Sequence, residues 1–114
     1  MEVWVSFNSQ KFTFAPDPAR VKVGTPVTWR VQANGSQSTL IRWTVFFNHG
    51  SPLRSKLDEL TITTTTQSHA GQHTGVTGAI APNKPGDYKY GVRAEDAQTD
   101  EPLGEDDPYL IVTL

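Results

Sequence analysis

The chain has 114 residues, nine glycines, eight prolines and no cysteine. That is the length of one domain, and it excludes disulfides, thiolate metal sites, cysteine nucleophiles and iron–sulfur clusters. A formal net charge of −2 argues against a phosphate-backbone binder, so no nucleic acid is expected as a partner.

Glu2 to Phe7 alternates, with Val3, Val5 and Phe7 on one side and Trp4 and Ser6 on the other. After a break at Asn8-Ser9, Lys11 to Phe14 continues the pattern through Phe12 and Phe14. Pro16-Asp17-Pro18 then ends the strand, because proline has no amide to donate to a ladder. Arg20 to Val23 is a short strand, Gly24-Thr25-Pro26 a turn, and Val27, Trp29 and Val31 give the cleanest alternation in the chain.

Asn34-Gly35-Ser36 signals a turn. In Thr39 to Phe47, Ile41, Trp43, Val45 and Phe47 share one face while Leu40 and Phe46 lie on the other. This predicts a central strand covered on both sides. Leu53 to Glu59 has room for a helical turn. Leu60 to Thr66 is threonine-rich and β-branched, with Leu60, Ile62, Thr64 and Thr66 in phase, as expected of an edge strand. Ser68 to Gly78 reads as a loop and Ala79 to Pro82 as a brief strand.

The segment Lys84 to Val92, KPGDYKYGV, reads as a tight turn feeding one strand in which Tyr88, Tyr90 and Val92 share a face. That strand runs to Ala94, an acidic loop follows, and Tyr109 to Leu114 closes the domain. The sum is an all-β Greek-key sandwich of about seven to eight strands with little or no helix. It occupies residues 1–114 as a single domain.

Charge is polarised along the chain. Residues 1–94 hold all ten Lys and Arg with five acids, whereas residues 95–114 hold seven acids and no base. A solvated acidic loop is the plain reading, and docking of a basic protein partner the functional one.

Three local patterns coincide. They are Phe14-x-Pro16 with Val21-x-Val23-Gly24-x-x-Val27-x-Trp29; the strand Trp43-Thr44-Val45-Phe46-Phe47; and Pro85-Gly86-Asp87-Tyr88-x-Tyr90 with a terminal Leu110-Ile111-Val112. In this order they resemble the cupredoxin framework. The resemblance implies a mononuclear copper held by two His, one Cys and a weak axial Met. It would place the first His near Arg42 or Trp43, the Cys near Val92, and the second His and the Met within Glu95–Asp107. None of these stretches carries the ligand, and the only methionine is Met1. Without a soft thiolate the electron-transfer site cannot form, so the chain resembles a copper-free member whose ancestral role does not transfer.

Other candidate sites are few. His69 and His73, four apart, and His49 are candidate metal ligands, set against exposed loop histidines. Glu95, Asp96, Asp100, Glu101, Glu105, Asp106 and Asp107 are the candidate partner-binding residues, with calcium as their inorganic alternative. No nucleophile elbow, split carboxylate pair or phosphate loop is present, so no catalytic residue and no cofactor is expected. Trp4, out of phase with Val3 and Val5, is the one tryptophan expected at the surface and the candidate for stacking on a sugar. Thr61–Thr66 is the candidate edge for homodimerisation.

The expectation is a non-catalytic binding or interaction module, with metal binding and carbohydrate binding as alternatives. No apolar run nears the ~20 residues of a membrane span, so no membrane partner is expected. The start Met1-Glu2-Val3-Trp4-Val5 lacks a signal-peptide pattern, which reads as cytoplasmic, or as periplasmic or secreted if an export signal has been removed.

Overall fold

The structure, a computed structural model, describes residues 1–8, 11–34, 38–55 and 59–114. The break at Asn8-Ser9, the turn at Asn34-Gly35-Ser36 and the middle of the helical turn expected over Leu53–Glu59 fall partly or wholly outside them. Arg54 and Ser55 form a turn, and no helix occurs among the described residues.

Among the described residues there are eleven strands: β1 (Glu2–Asn8), β2 (Lys11–Ala15), β3 (Ala19–Lys22), β4 (Thr28–Asn34), β5 (Leu40–Phe47), β6 (Leu60–Gln67), β7 (Gln72–Val76), β8 (Gly86–Lys89), β9 (Gly91–Asp96), β10 (Pro102–Asp106) and β11 (Tyr109–Thr113). They form sheets in the orders β2-β1-β4-β7, β10-β9-β5-β6 and β3-β11-β8. Pairing is antiparallel except between β1 and β4 and between β11 and β3.

The count exceeds the expected seven to eight strands for identifiable reasons. The single strand expected over Tyr88–Ala94 divides at Tyr90: β8 pairs with β11, while β9 pairs with β5 and β10. The acidic stretch expected as a loop is largely a hairpin of β9 and β10, with a register shift between Pro102 and Gly104. The expected loop over Ser68–Gly78 contains β7, which pairs with β4 from Arg30↔Val76 to Asn34↔Gln72. Ala79–Pro82 is not a strand; Ile80 makes one bridge to Val27.

The alternation read from the sequence sets the core. Val3, Val5, Trp29, Val31, Ile41, Trp43, Val45, Phe47, Tyr88, Tyr90 and Val92 are all buried. Aromatic rings join the layers: Phe7 meets Trp43 edge-on at 6.3 Å, and Trp29 meets Phe47 at 6.2 Å. On the opposite face of β5, Thr44 is buried and Leu40, Arg42 and Phe46 are half-buried, as expected of a central strand.

Candidate functional site

The strand register determines which loops meet. β5 runs antiparallel to both β6 and β9, so Leu40 lies beside Gln67 and Ile41 beside Asp96, while Phe47 lies beside Leu60 and Phe46 beside Gly91. The 67–72 and 96–102 turns therefore share one end of this sheet. Residues 48–52 and 105–107 share the other, about 24 Å away by the rise of an extended strand.

The acidic residues are thus divided between two ends, and most are engaged locally. Asp100 accepts from the Arg42 guanidinium at 2.6 Å, and Glu95 lies 3.5 Å from Arg42 and 3.4 Å from Arg93. Glu105 pairs with Arg93 at 3.8 Å and Asp107 with Lys89 at 3.1 Å. Asp96 accepts from the Gln98 and Thr99 amides at 2.8 and 3.1 Å, and those bonds, the Gln98 amide foremost, hold its carboxyl below its ordinary range. Asp100 has φ 60°, the left-handed conformation that completes this turn. Charge polarised along the chain is largely paired in space.

At the far end, Phe46, His49, Lys89, Glu105, Asp106 and Asp107 surround a hollow of roughly 250 Å³.

The histidines do not converge. His49 is exposed at the 48–52 end, and His69 is exposed at the corner between β6 and β7. His73, expected on a surface loop, is fully buried because β7 draws it inside. The Trp43 indole donates to Thr66 Oγ1 at 2.9 Å, Thr66 Oγ1 lies 3.0 Å from His73 Nδ1, and His73 Nε2 lies 2.9 Å from the Ser38 carbonyl. Nδ1 also lies 3.2 Å from the Thr66 carbonyl, so both ring nitrogens face a carbonyl acceptor and the ring meets Thr66 through its hydroxyl and its carbonyl together. One buried chain of hydrogen bonds satisfies all three side chains. No group of three or more metal-ligating side chains exists among the described residues.

Nor do the residues fit the copper implied by the resemblance. Trp43 and Val92 are fully buried core residues, Arg42 is ion-paired, and no thiolate is available anywhere in the chain.

A second concave site lies on the outer face of the β2-β1-β4-β7 sheet. Trp4 is 44% exposed there, as its phase predicts. Its register partner Arg30 stacks over the ring at 5.2 Å and is held by Glu2 at 2.8 Å. Val76, 46% exposed, lies on the other side of Arg30. The next row along the sheet is Thr13, Ser6, Gln32 and Thr74, with Gln32 donating to Ser6 at 2.9 Å. Trp4, Arg30, Gln32, Thr74, Gly75 and Val76 enclose a shallow groove of roughly 250 Å³. Sequence reasoning found Trp4 but missed the β7 side of this groove. The alternation of Gln72, Thr74 and Val76 about the buried His73 was the available signal.

No family model matches the chain, and no curated protein matches it. Among solved structures it is similar to auracyanin A, a "blue" copper protein from the green thermophilic photosynthetic bacterium Chloroflexus aurantiacus. The two share 17% identity over 99% of this chain and 100% of that one, with a TM-score of 0.46. It is also similar to auracyanin B, at 12% identity over 100% of this chain and 88% of that one, with a TM-score of 0.49.

Proposed function

We propose that the chain is a non-catalytic binding module on a copper-free, cupredoxin-like sandwich, and that its ligand is a neutral saccharide held in the Trp4 groove. The observation that supports this is the exposed indole of Trp4 beside a row of uncharged hydroxyl and amide groups. The face of the indole that Arg30 leaves open packs on the apolar side of a sugar ring, while Gln32 and Thr74 offer donors and acceptors to its hydroxyls. Glu2 pairs with Arg30, so among the described residues that line the groove no unpaired cation selects an acid.

Titration of neutral oligosaccharides, followed by tryptophan fluorescence, tests the reading. Trp29 and Trp43 are buried, so a ligand-dependent change reports on Trp4. Binding is expected to weaken about tenfold or more in Trp4→Ala, the equivalent of roughly one ring contact. Absence of binding across a glycan array, or binding equal in the variant, sinks it.

A second reading, docking of a basic protein partner, draws on the hollow around His49, Lys89 and Glu105–Asp107. Replacing the seven acids of the 95–107 hairpin by Asn and Gln would abolish capture of basic peptides if this surface recognises them. Unchanged capture removes it.

A further inference from the structure

We infer that β6 is a self-pairing edge, through which two copies of this chain join their β10-β9-β5-β6 sheets into one continuous sheet. The inference is independent of the saccharide reading.

An edge strand offers unpaired N–H and C=O groups, and proteins protect such edges with charge, proline, bulges or short length. The other edges here carry these devices. β10 has Pro102, Glu105, Asp106 and a register shift; β3 has Arg20 and Lys22; β8 has Asp87 and Lys89. β2 begins at Lys11 and runs into Pro16, and the five-residue β7 contains Gly75. β6, LTITTTTQ, is eight residues long with no charge, proline or glycine.

Its register shows which groups are free. Ser68 N–H bonds the Thr39 carbonyl on the β5 side, while Ala97 N–H bonds the Leu40 carbonyl from the opposite side of β5. Alternation along an antiparallel ladder then directs the even-numbered residues of β6 towards β5 and Thr61, Thr63 and Thr65 outward. Among the described residues, no other backbone group bonds the backbone of Thr61, Thr63 or Thr65. β7 does not occupy this edge: His73 meets Thr66, and a Cβ at Gly75 would meet Thr66 and Thr64, all on the inward side.

A two-fold axis perpendicular to the sheet keeps both inner faces on the same side, so opposed residues must have the same parity. Centring it on Thr63 pairs Thr61 with the partner's Thr65, Thr63 with the partner's Thr63, and Thr65 with the partner's Thr61. Every free group is then used in a hydrogen-bonded pair, the side chains form a threonine ladder, and no like charges are opposed. The occupant that fits this edge is a second copy of the same strand.

Sedimentation velocity over a concentration series tests the inference, with Thr63→Lys as the edge-blocking variant. The unmodified chain is expected to dimerise, and the variant to dissociate at least about tenfold more readily. Because the chain lacks cysteine, Thr63→Cys provides a second test: its pair at the axis sits about 5.5 Å apart between Cα atoms, within disulfide range. Oxidation should cross-link Thr63→Cys rapidly and leave Thr13→Cys, on the β2 edge, without a covalent dimer. A monomer at all concentrations, a dimer indifferent to Thr63→Lys, or equal cross-linking of the two cysteine variants overturns it.

Discussion

Trp29 donates its indole N–H to the Tyr90 hydroxyl at 3.0 Å, and the two rings meet edge to face with centroids 5.7 Å apart. Tyr90 occupies the point where the chain leaves the β3-β11-β8 sheet for the β10-β9-β5-β6 sheet, and Phe47 stacks on it at 4.9 Å. One side chain ties β4, β5 and the sheet switch together.

Tyr90→Phe keeps the ring and deletes the acceptor, leaving a buried indole N–H unpaired. Urea unfolding should show a loss of about 1–3 kcal/mol. An unchanged midpoint would mean that Trp29 finds another partner.

The same hydroxyl makes stability depend on alkaline pH. Burial, only partly opposed by the Trp29 hydrogen bond, holds the Tyr90 phenol above its ordinary value. An unfolded tyrosine titrates near pH 10, so above that pH the unfolded chain releases a proton that the folded chain retains. Stability from this group is complete below about pH 10 and falls above it by about 1.4 kcal/mol per pH unit. Tyr90→Phe should flatten the slope by one proton. Tyr88, raised by burial, and Lys89, raised by its bond to Asp107, account for slope that persists.

Thr66→Val removes the middle of the chain from Trp43 to His73. The buried indole N–H loses its acceptor and His73 Nδ1 its hydroxyl partner, which should cost about 1–3 kcal/mol or more. Thermal melts of Thr66→Val beside Thr65→Val, which changes an exposed neighbour, provide the comparison. Equal midpoints would show that the network contributes nothing net.

At Gly91 a Cβ would lie 2.1 Å from the Phe46 ring, which is itself covered by the Arg93 guanidinium at 5.0 Å. Gly91→Ala should therefore destabilise by roughly 1–3 kcal/mol through overpacking. Adding Phe46→Ala removes the clash, so the double variant should be more stable than the sum of the singles predicts. Strict additivity would place the cost in the backbone instead.

Arg42→Met should act locally. Its guanidinium joins Glu95 to Asp100 at the surface, where ion pairs contribute little to global stability. Hydrogen exchange at Gln98, Thr99 and Glu101 is expected to quicken while the thermal midpoint hardly moves. A large midpoint shift with unchanged local exchange would contradict this.

Much of the sandwich was legible in the residues. The burial of Trp29 and Trp43 and the exposure of Trp4 all follow from phase along a strand. So does the inward side of β6. His73 was misread because Gly71 and the Thr/Gly composition around it look like loop, which hid a five-residue alternation. The 95–107 segment reads as a loop because its acids suggest solvent, and most of them are exposed, yet its backbone pairs as β9 and β10 with Arg42 and Arg93 beside Glu95, Asp100 and Glu105.

What the residues settled alone was the two-sided character of the strands around Val3, Trp29, Trp43 and Ile62 and the absence of any thiolate for copper. Both are properties of short stretches, since side chains alternate wherever backbone is extended and a missing sulfur is missing in every conformation. The choice of neighbours belonged to the folded chain. Arg42 meets Asp100 across 58 positions, and Trp29 meets Tyr90 across 61. Contacts at such separations depend on which strands pair and in what register, and no local pattern carries that information.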